Sequence, residues 1–99
     1  MDKLKALLDE IGRVSQPERL IVYGLKREGA GERVRDVNVC VVCDCEDKRM
    51  LERKLYLGIE SEISFDVIIY TPDEWKRLLA DPQSYASRIA EKGREYGEA

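Results

Sequence analysis

A chain of 99 residues with 43% hydrophobic and 37% charged side chains has the make-up of an ordinary folded domain, not of a low-complexity or fibrous polymer. A net charge of −3 and a pI near 5.1 argue against a dedicated nucleic-acid binder, which needs a basic face. Histidine is absent, so the commonest general base and metal ligand is missing, and any metal chemistry falls to carboxylates, amides or thiolates.

In chain order, Leu4, Leu7, Leu8 and Ile11 repeat at helical spacing and predict an amphipathic first helix, fading before Pro17. Residues 19–24 are a short apolar run that predicts a strand ending at Gly24. A polar loop with Gly29 and Gly31 leads to a second strand over residues 34–44, rich in β-branched valine. Its two faces are 37, 39, 41 and 36, 38, 40, 42; both turn apolar after Val39, so that end should be buried on both sides. Its polar end is the start, at Asp36 and Asn38.

Residues 46–57 predict a helix stopped by Gly58, with Met50, Leu51, Leu55 and Gly58 on its apolar stripe. Residues 63–70 predict a third strand, with Ile63, Phe65, Val67 and Ile69 on one face and Ser64, Asp66, Ile68 and Tyr70 on the other. Thr71, Pro72 and Glu74 form a helix start with a capping box, and Trp75, Leu78 and Leu79 are its buried side. Asp81-Pro82 should end that helix and open another, with Tyr85, Ala86, Ile89 and Ala90 inward and Gly93 at its end. Only Gly97 to Ala99 carry no packing pattern. The expected architecture is an α/β (α+β) domain over residues 1–99: a mixed sheet of at least three strands flanked by helices, in the order αββαβαα.

No apolar run approaches the roughly 18 residues of a membrane span. No signal-peptide pattern precedes the three cysteines, Cys40, Cys43 and Cys45, so a disulfide scaffold is not expected and the chain is read as cytoplasmic. Cys40 and Cys43 should point to opposite sides of the strand, which favours buried small hydrophobes over a zinc site. The aromatic residues, Trp75 among them, read as core.

The chemistry concentrates at the polar strand starts. Asp36 and Asn38 are two apart and share a face. Asp66 joins them if the second and third strands are neighbours. Three oxygen donors would then converge, as a hard cation such as Mg²⁺ requires. Gly24 would let backbone N–H groups approach a phosphate, while Lys26, Arg27, Arg33 and Arg35 would offset its charge, diluted by Glu28, Glu32 and Asp36. The plain alternative is a set of ordinary polar residues at strand ends.

Gly24-Leu25, ten residues, Asp36-Val37-Asn38, then Asp66 ahead of a capped helix, resembles the minimal nucleotidyltransferases. These carry Gly-Ser, ten residues, Asp-x-Asp and a third Asp on a later strand, and the resemblance runs from about Leu20 to Gly93. It implies nucleotide binding by Gly24, Leu25, Lys26 and Arg27, metal ligation by Asp36, Asn38 and Asp66, and a catalytic role for Asp36 and Asp66 if the protein is active. Two positions depart: Leu25 replaces the serine, and Asn38 replaces the second aspartate.

The loss of one hydroxyl and one charge predicts a degenerate site, weak in nucleoside monophosphate transfer or without it, in a protein that acts by binding a protein partner. The family resembles antitoxins paired with helical HEPN-type toxins, which names the class of partner implied. The alternatives are an active Mg²⁺-dependent enzyme transferring a nucleoside monophosphate from an NTP to a hydroxyl, and a nucleotide sensor without turnover.

Overall fold

A computed structural model describes residues 2–29, 31 and 33–97. Its elements are α1 (Lys3–Ser15), β1 (Arg19–Arg27), β2 (Val34–Val42), α2 (Lys48–Gly58), β3 (Ser64–Tyr70), α3 (Pro72–Leu79), α4 (Tyr85–Lys92) and β4 (Arg94–Glu95). The sheet order is β3-β2-β1-β4. β1 runs antiparallel to β2 and β4, whereas β2 and β3 are parallel, so the sheet is mixed. This is the α+β architecture expected, compatible with a nucleotidyltransferase-like fold, with one two-residue strand added at the end.

The helices lie on both faces of the sheet. Leu7, Leu8 and Ile11 of α1 and Leu55 of α2 pack with Val37, Val39 and Val41 of β2. Trp75 of α3 and Ala86 and Ile89 of α4 pack with Ile21, Cys40 and Val42. The two faces of β2 therefore belong to two cores, as its alternation predicts. Each fully buried aliphatic side chain contributes about 1.5–3 kcal/mol, so these cores dominate the stability.

The second face is only half covered. α3 and α4 have eight residues each, about 12 Å of helix, against about 30 Å for the nine-residue β2. They cover Cys40 and Val42 and leave the Asp36–Asn38 end open.

Local chemistry sets the helix ends. Asp2 caps α1 by accepting from the Leu4 and Lys5 amides, and Asp47 caps α2 by accepting from the Met50 amide. Thr71 and Glu74 form the expected capping box on α3. Lys48 sits 2.6 Å from the Glu74 carboxylate and, with Thr71, holds its pKa below the ordinary value. Thr71→Ala should cost about 1 kcal/mol, read as a lower urea midpoint at unchanged slope.

Several expectations are corrected. β1 does not end at Gly24 but continues to Arg27, and β2 stops at Val42 rather than at residue 44. α2 starts after Asp47 and includes Gly58, whose position is exposed. Met50 lies outside the buried stripe because Leu51 and Leu55, four apart, set the helix phase, and Met50 falls about 100° away from Leu51. α4 starts at Tyr85 rather than at Pro82. Asp81 accepts from the Gln83 amide in a turn, and Ser84 then caps the helix through the Ser87 amide. That shift leaves Tyr85 and Ala90 exposed, while Ala86 and Ile89 face inward.

β4 was not expected. It is fixed by the Arg19–Glu95 ion pair, by the Tyr96 amide donating to Leu20 O, and by the Tyr96 hydroxyl on Asp9. Of Gly97 to Ala99, the last two lie outside the described residues. Among the described residues, no helix is long and apolar enough to cross a membrane.

Candidate functional site

Strand register brings the predicted carboxylates together. Asn38 of β2 stands opposite Asp66 of β3 on one side and Gly24 of β1 on the other. One row further out, Asp36 stands opposite Ser64 and Lys26. Directly opposed residues share a face. The open half of the sheet thus carries two rows across three strands: Gly24–Asn38–Asp66 and Lys26–Asp36–Ser64.

The Asn38 side chain extends over Gly24. A methyl group added at Gly24 would lie 2.6 Å from Asn38 Nδ2, 3.2 Å from its Cβ and 3.3 Å from its Cγ. The glycine is needed here to make room for the amide beside it, rather than to end the strand. Gly24→Ala should therefore displace Asn38. In a double-mutant cycle with Asn38→Ala, the two changes should be non-additive by about 0.5–3 kcal/mol, measured by urea denaturation; strict additivity would refute the contact.

The charges are nearly balanced. Asp36 is half-exposed and takes an ion pair from its neighbour, with Arg35 Nε 2.9 Å from Asp36 Oδ2. Lys26 faces the same carboxylate across the strand pair. Asp66 is exposed and has no hydrogen-bond or ion-pair partner among the described residues. Two carboxylates are thus accompanied by two cations and a neutral amide.

Those donors are hard oxygens, which suit Mg²⁺, but two aspartates and one amide fit one divalent ion and not two. Among the described residues, no three His, Cys, Asp or Glu side chains stand together as a metal cluster.

The glycine motif is split by the pleat. Leu25 pairs with Val37, whose side chain lies in the α1–α2 core, so Leu25 is on the opposite face from Asp36 and Asn38. Arg27 pairs with Val34 on that same opposite face. Of the nucleotide-binding set expected from sequence, Gly24 and Lys26 share the carboxylate face, and Leu25 and Arg27 do not. Arg27, Arg33 and Arg35 line a 510 Å³ groove beside the start of α1, together with Lys3 and Glu62. A second groove, of 600 Å³, follows Val22 to Leu25 toward Lys92, Arg94 and Tyr96. Neither groove is lined by Asp36, Asn38 or Asp66. The carboxylate rows lie on an open face without the walls of a deep ligand pocket.

Strand alternation already places Ser64 on the Asp66 face, and the register sets it opposite Asp36. Sequence reasoning missed one aromatic pair beside the site. Tyr23 packs edge-on to Tyr85 of α4, with ring centroids 6.0 Å apart, where the covered half of the face ends. Burial and the nearby Tyr85 push the Tyr23 phenol pKa well up, so Tyr23 stays protonated at neutral pH. Nothing in the sequence marks the pair, because it depends on how α4 docks.

The cysteines form no centre. Cys40 lies in the α3–α4 core and Cys43 in the α1–α2 core. Burial pushes the Cys40 thiol to about 12, and burial with the adjacent Cys45 pushes Cys43 to about 11, so both remain protonated at neutral pH.

No family model matches this chain, and neither a curated protein nor a solved structure does.

Proposed function

We propose that this chain is a nucleotidyltransferase-like protein with a degenerate metal and nucleotide site, weak or silent in nucleoside monophosphate transfer, that acts by binding a protein partner. The observation that carries this reading is the Gly24–Asn38–Asp66 row with Asp36 beside it, where an amide occupies the central position. The ten-residue spacing from Gly24-Leu25 to Asp36 supports the same reading.

The chemistry follows from charge. Phosphoryl and nucleotidyl transfer depend on electrostatic stabilisation of charge at the transferring phosphorus. A Mg²⁺ ion held by Asp36, Asn38 and Asp66 would supply that stabilisation when bound. The chain's own residues supply little of it: Arg35 occupies Asp36, and Asn38 adds no charge. Lys26 is the cation best placed to meet a phosphate on this face. The open face holds a nucleotide poorly, which favours partner binding over turnover, the partner class implied by the resemblance being a helical HEPN-type protein.

Incubation with labelled ATP, Mg²⁺ or Mn²⁺ and hydroxyl acceptors, including protein acceptors, tests the reading. The expected result is transfer that is weak or no greater than that of Asp66→Ala. Robust transfer that disappears in Asp66→Ala would replace this reading with the active enzyme.

A further inference from the structure

The solvent face of α2 has a composition at odds with the rest of the chain. Leu55 and Leu51 turn inward. At 100° per residue, Arg53 then points directly away from the core, Leu57 and Met50 lie about 40° and about 60° to one side of it, and Arg49 and Lys54 flank them. Leu57 is 77% exposed and Met50 is 56% exposed. Arg49, Arg53 and Lys54 have no ion-pair or hydrogen-bond partner among the described residues. The only acid within the helix, Glu52, lies on its flank toward the core. A protein of net charge −3 thus presents one helix face made of two large apolar side chains and three unpaired cations.

A solvated helix face has no need of Leu and Met on its outward side, seven residues apart. Cations on a helix surface are commonly paired with acids three or four residues away, as Lys5 is with Asp9 and Arg13 with Glu10 in α1, whereas the one acid of α2 at such a distance, Glu52 from Arg49, makes no ion pair among the described residues. Met and Arg are enriched in the buried centres of protein interfaces, where apolar anchors are ringed by charge. An anionic membrane fits less well. Two apolar residues are a small wedge, and interfacial helices carry a broad apolar face with bulky aromatics. Nucleic acid would leave Leu57 unused and would meet the net negative charge of the chain.

We propose that the outward face of α2, from Arg49 to Leu57, is the docking surface for a partner protein, through an acidic amphipathic helix whose apolar stripe covers Met50 and Leu57 and whose carboxylates meet Arg49, Arg53 and Lys54. The proposal rests on the partner-binding part of the function proposed above. It is independent of the carboxylate face, since none of its residues belongs to that site.

The test uses the full chain, ¹⁵N-labelled, and two synthetic helical peptides of about 20 residues with one leucine stripe. One carries glutamate at its polar positions and the other lysine. The leucine–glutamate peptide should shift the amides of residues 49–57 and saturate, and the leucine–lysine peptide should not. Arg53→Glu and Leu57→Ser should each weaken binding about tenfold while leaving the circular dichroism spectrum unchanged. The proposal is overturned if the acidic peptide shifts nothing or maps elsewhere. It is overturned equally if phosphatidylserine vesicles or single-stranded RNA occupy this face and the acidic peptide does not. Self-association through this face, seen by sedimentation and lost in Leu57→Ser, would also overturn it. A Mn²⁺ titration of the same sample reports on Asp36 and Asp66 separately, so failure of the docking surface does not count against the metal site.

Discussion

Asn38→Asp should raise the affinity of this protein for Mn²⁺ about tenfold, and Arg35→Gln should also raise it. The first change restores a negative charge at the centre of the Gly24–Asn38–Asp66 row. A unit charge about 5 Å from a divalent ion in a water-like dielectric contributes about 1.7 kcal/mol, a factor of nearly twenty that salt screening trims toward tenfold. The water-like value is appropriate because this half of the sheet is open, with Asp66 exposed and Asp36 half-exposed. The second change removes the guanidinium that holds Asp36 at 2.9 Å and competes with a metal for the same oxygen. Its effect should shrink in high salt, as exposed pairs do. Leu25→Ser, the other departure from the motif that the sequence resembles, should leave metal affinity unchanged, because position 25 pairs with Val37 on the far face of the sheet. Calorimetric titration of the three single variants checks all three outcomes.

Gly93→Ala should destabilise the fold by about 2–3 kcal/mol, which lowers Tm by roughly 10 °C in a domain of this size. Gly93 closes α4, its amide donating 2.7 Å to Ile89 O, and leads directly into β4. An added methyl group would overlap Ile21 Cγ2 and approach Ile89 O at 2.7 Å and Val22 O at 3.2 Å. A side chain can swing aside, but two backbone oxygens in a helix and a strand cannot. Either α4 must lift from Ile21, losing the packing of Ile89 and Ala86, or β4 must unpair from β1. Gly24→Ala offers the contrast, since the nearest atoms there belong to one side chain, Asn38. Thermal unfolding of the two variants should place Gly93→Ala well below Gly24→Ala. Equal midpoints would show that the sheet accommodates a Cβ at either position.

Much of the fold was legible because it rests on local rules. The valines of β2 alternate between two cores, and Thr71 and Glu74 build the predicted capping box. Asp36 and Asn38 were legible as the polar start of a strand. Their meeting with Asp66 needed one further condition, a neighbouring β3, and the parallel register meets it.

What escaped the sequence depends on tertiary events. β1 carries one extra residue at Tyr23, between the pairs Val22–Val39 and Gly24–Asn38. That bulge reverses the alternation, placing Gly24 with Asn38 and turning Leu25 away. A second bulge at Arg35, between the pairs Lys26–Asp36 and Arg27–Val34, sends Arg27 to the far face. No periodicity in the sequence marks either one. Met50 was read inward because an apolar residue near the right phase looks like core, and only the docking of Leu51 and Leu55 fixes the angle. A strand as short as β4 has too few residues to show any pattern.

The function proposed for this chain rests on a single weakened cation site at the Asp36, Asn38 and Asp66 positions. Its most direct test is the amide spectrum of the ¹⁵N-labelled protein and of Asn38→Asp under Mn²⁺ titration, since a bound paramagnetic ion broadens the signals nearest to it. The expected result is broadening centred on residues 36, 38 and 66 in both proteins, reaching the same extent at about tenfold lower Mn²⁺ in Asn38→Asp. Broadening that centres elsewhere, or that is identical in the two proteins, would contradict the claim.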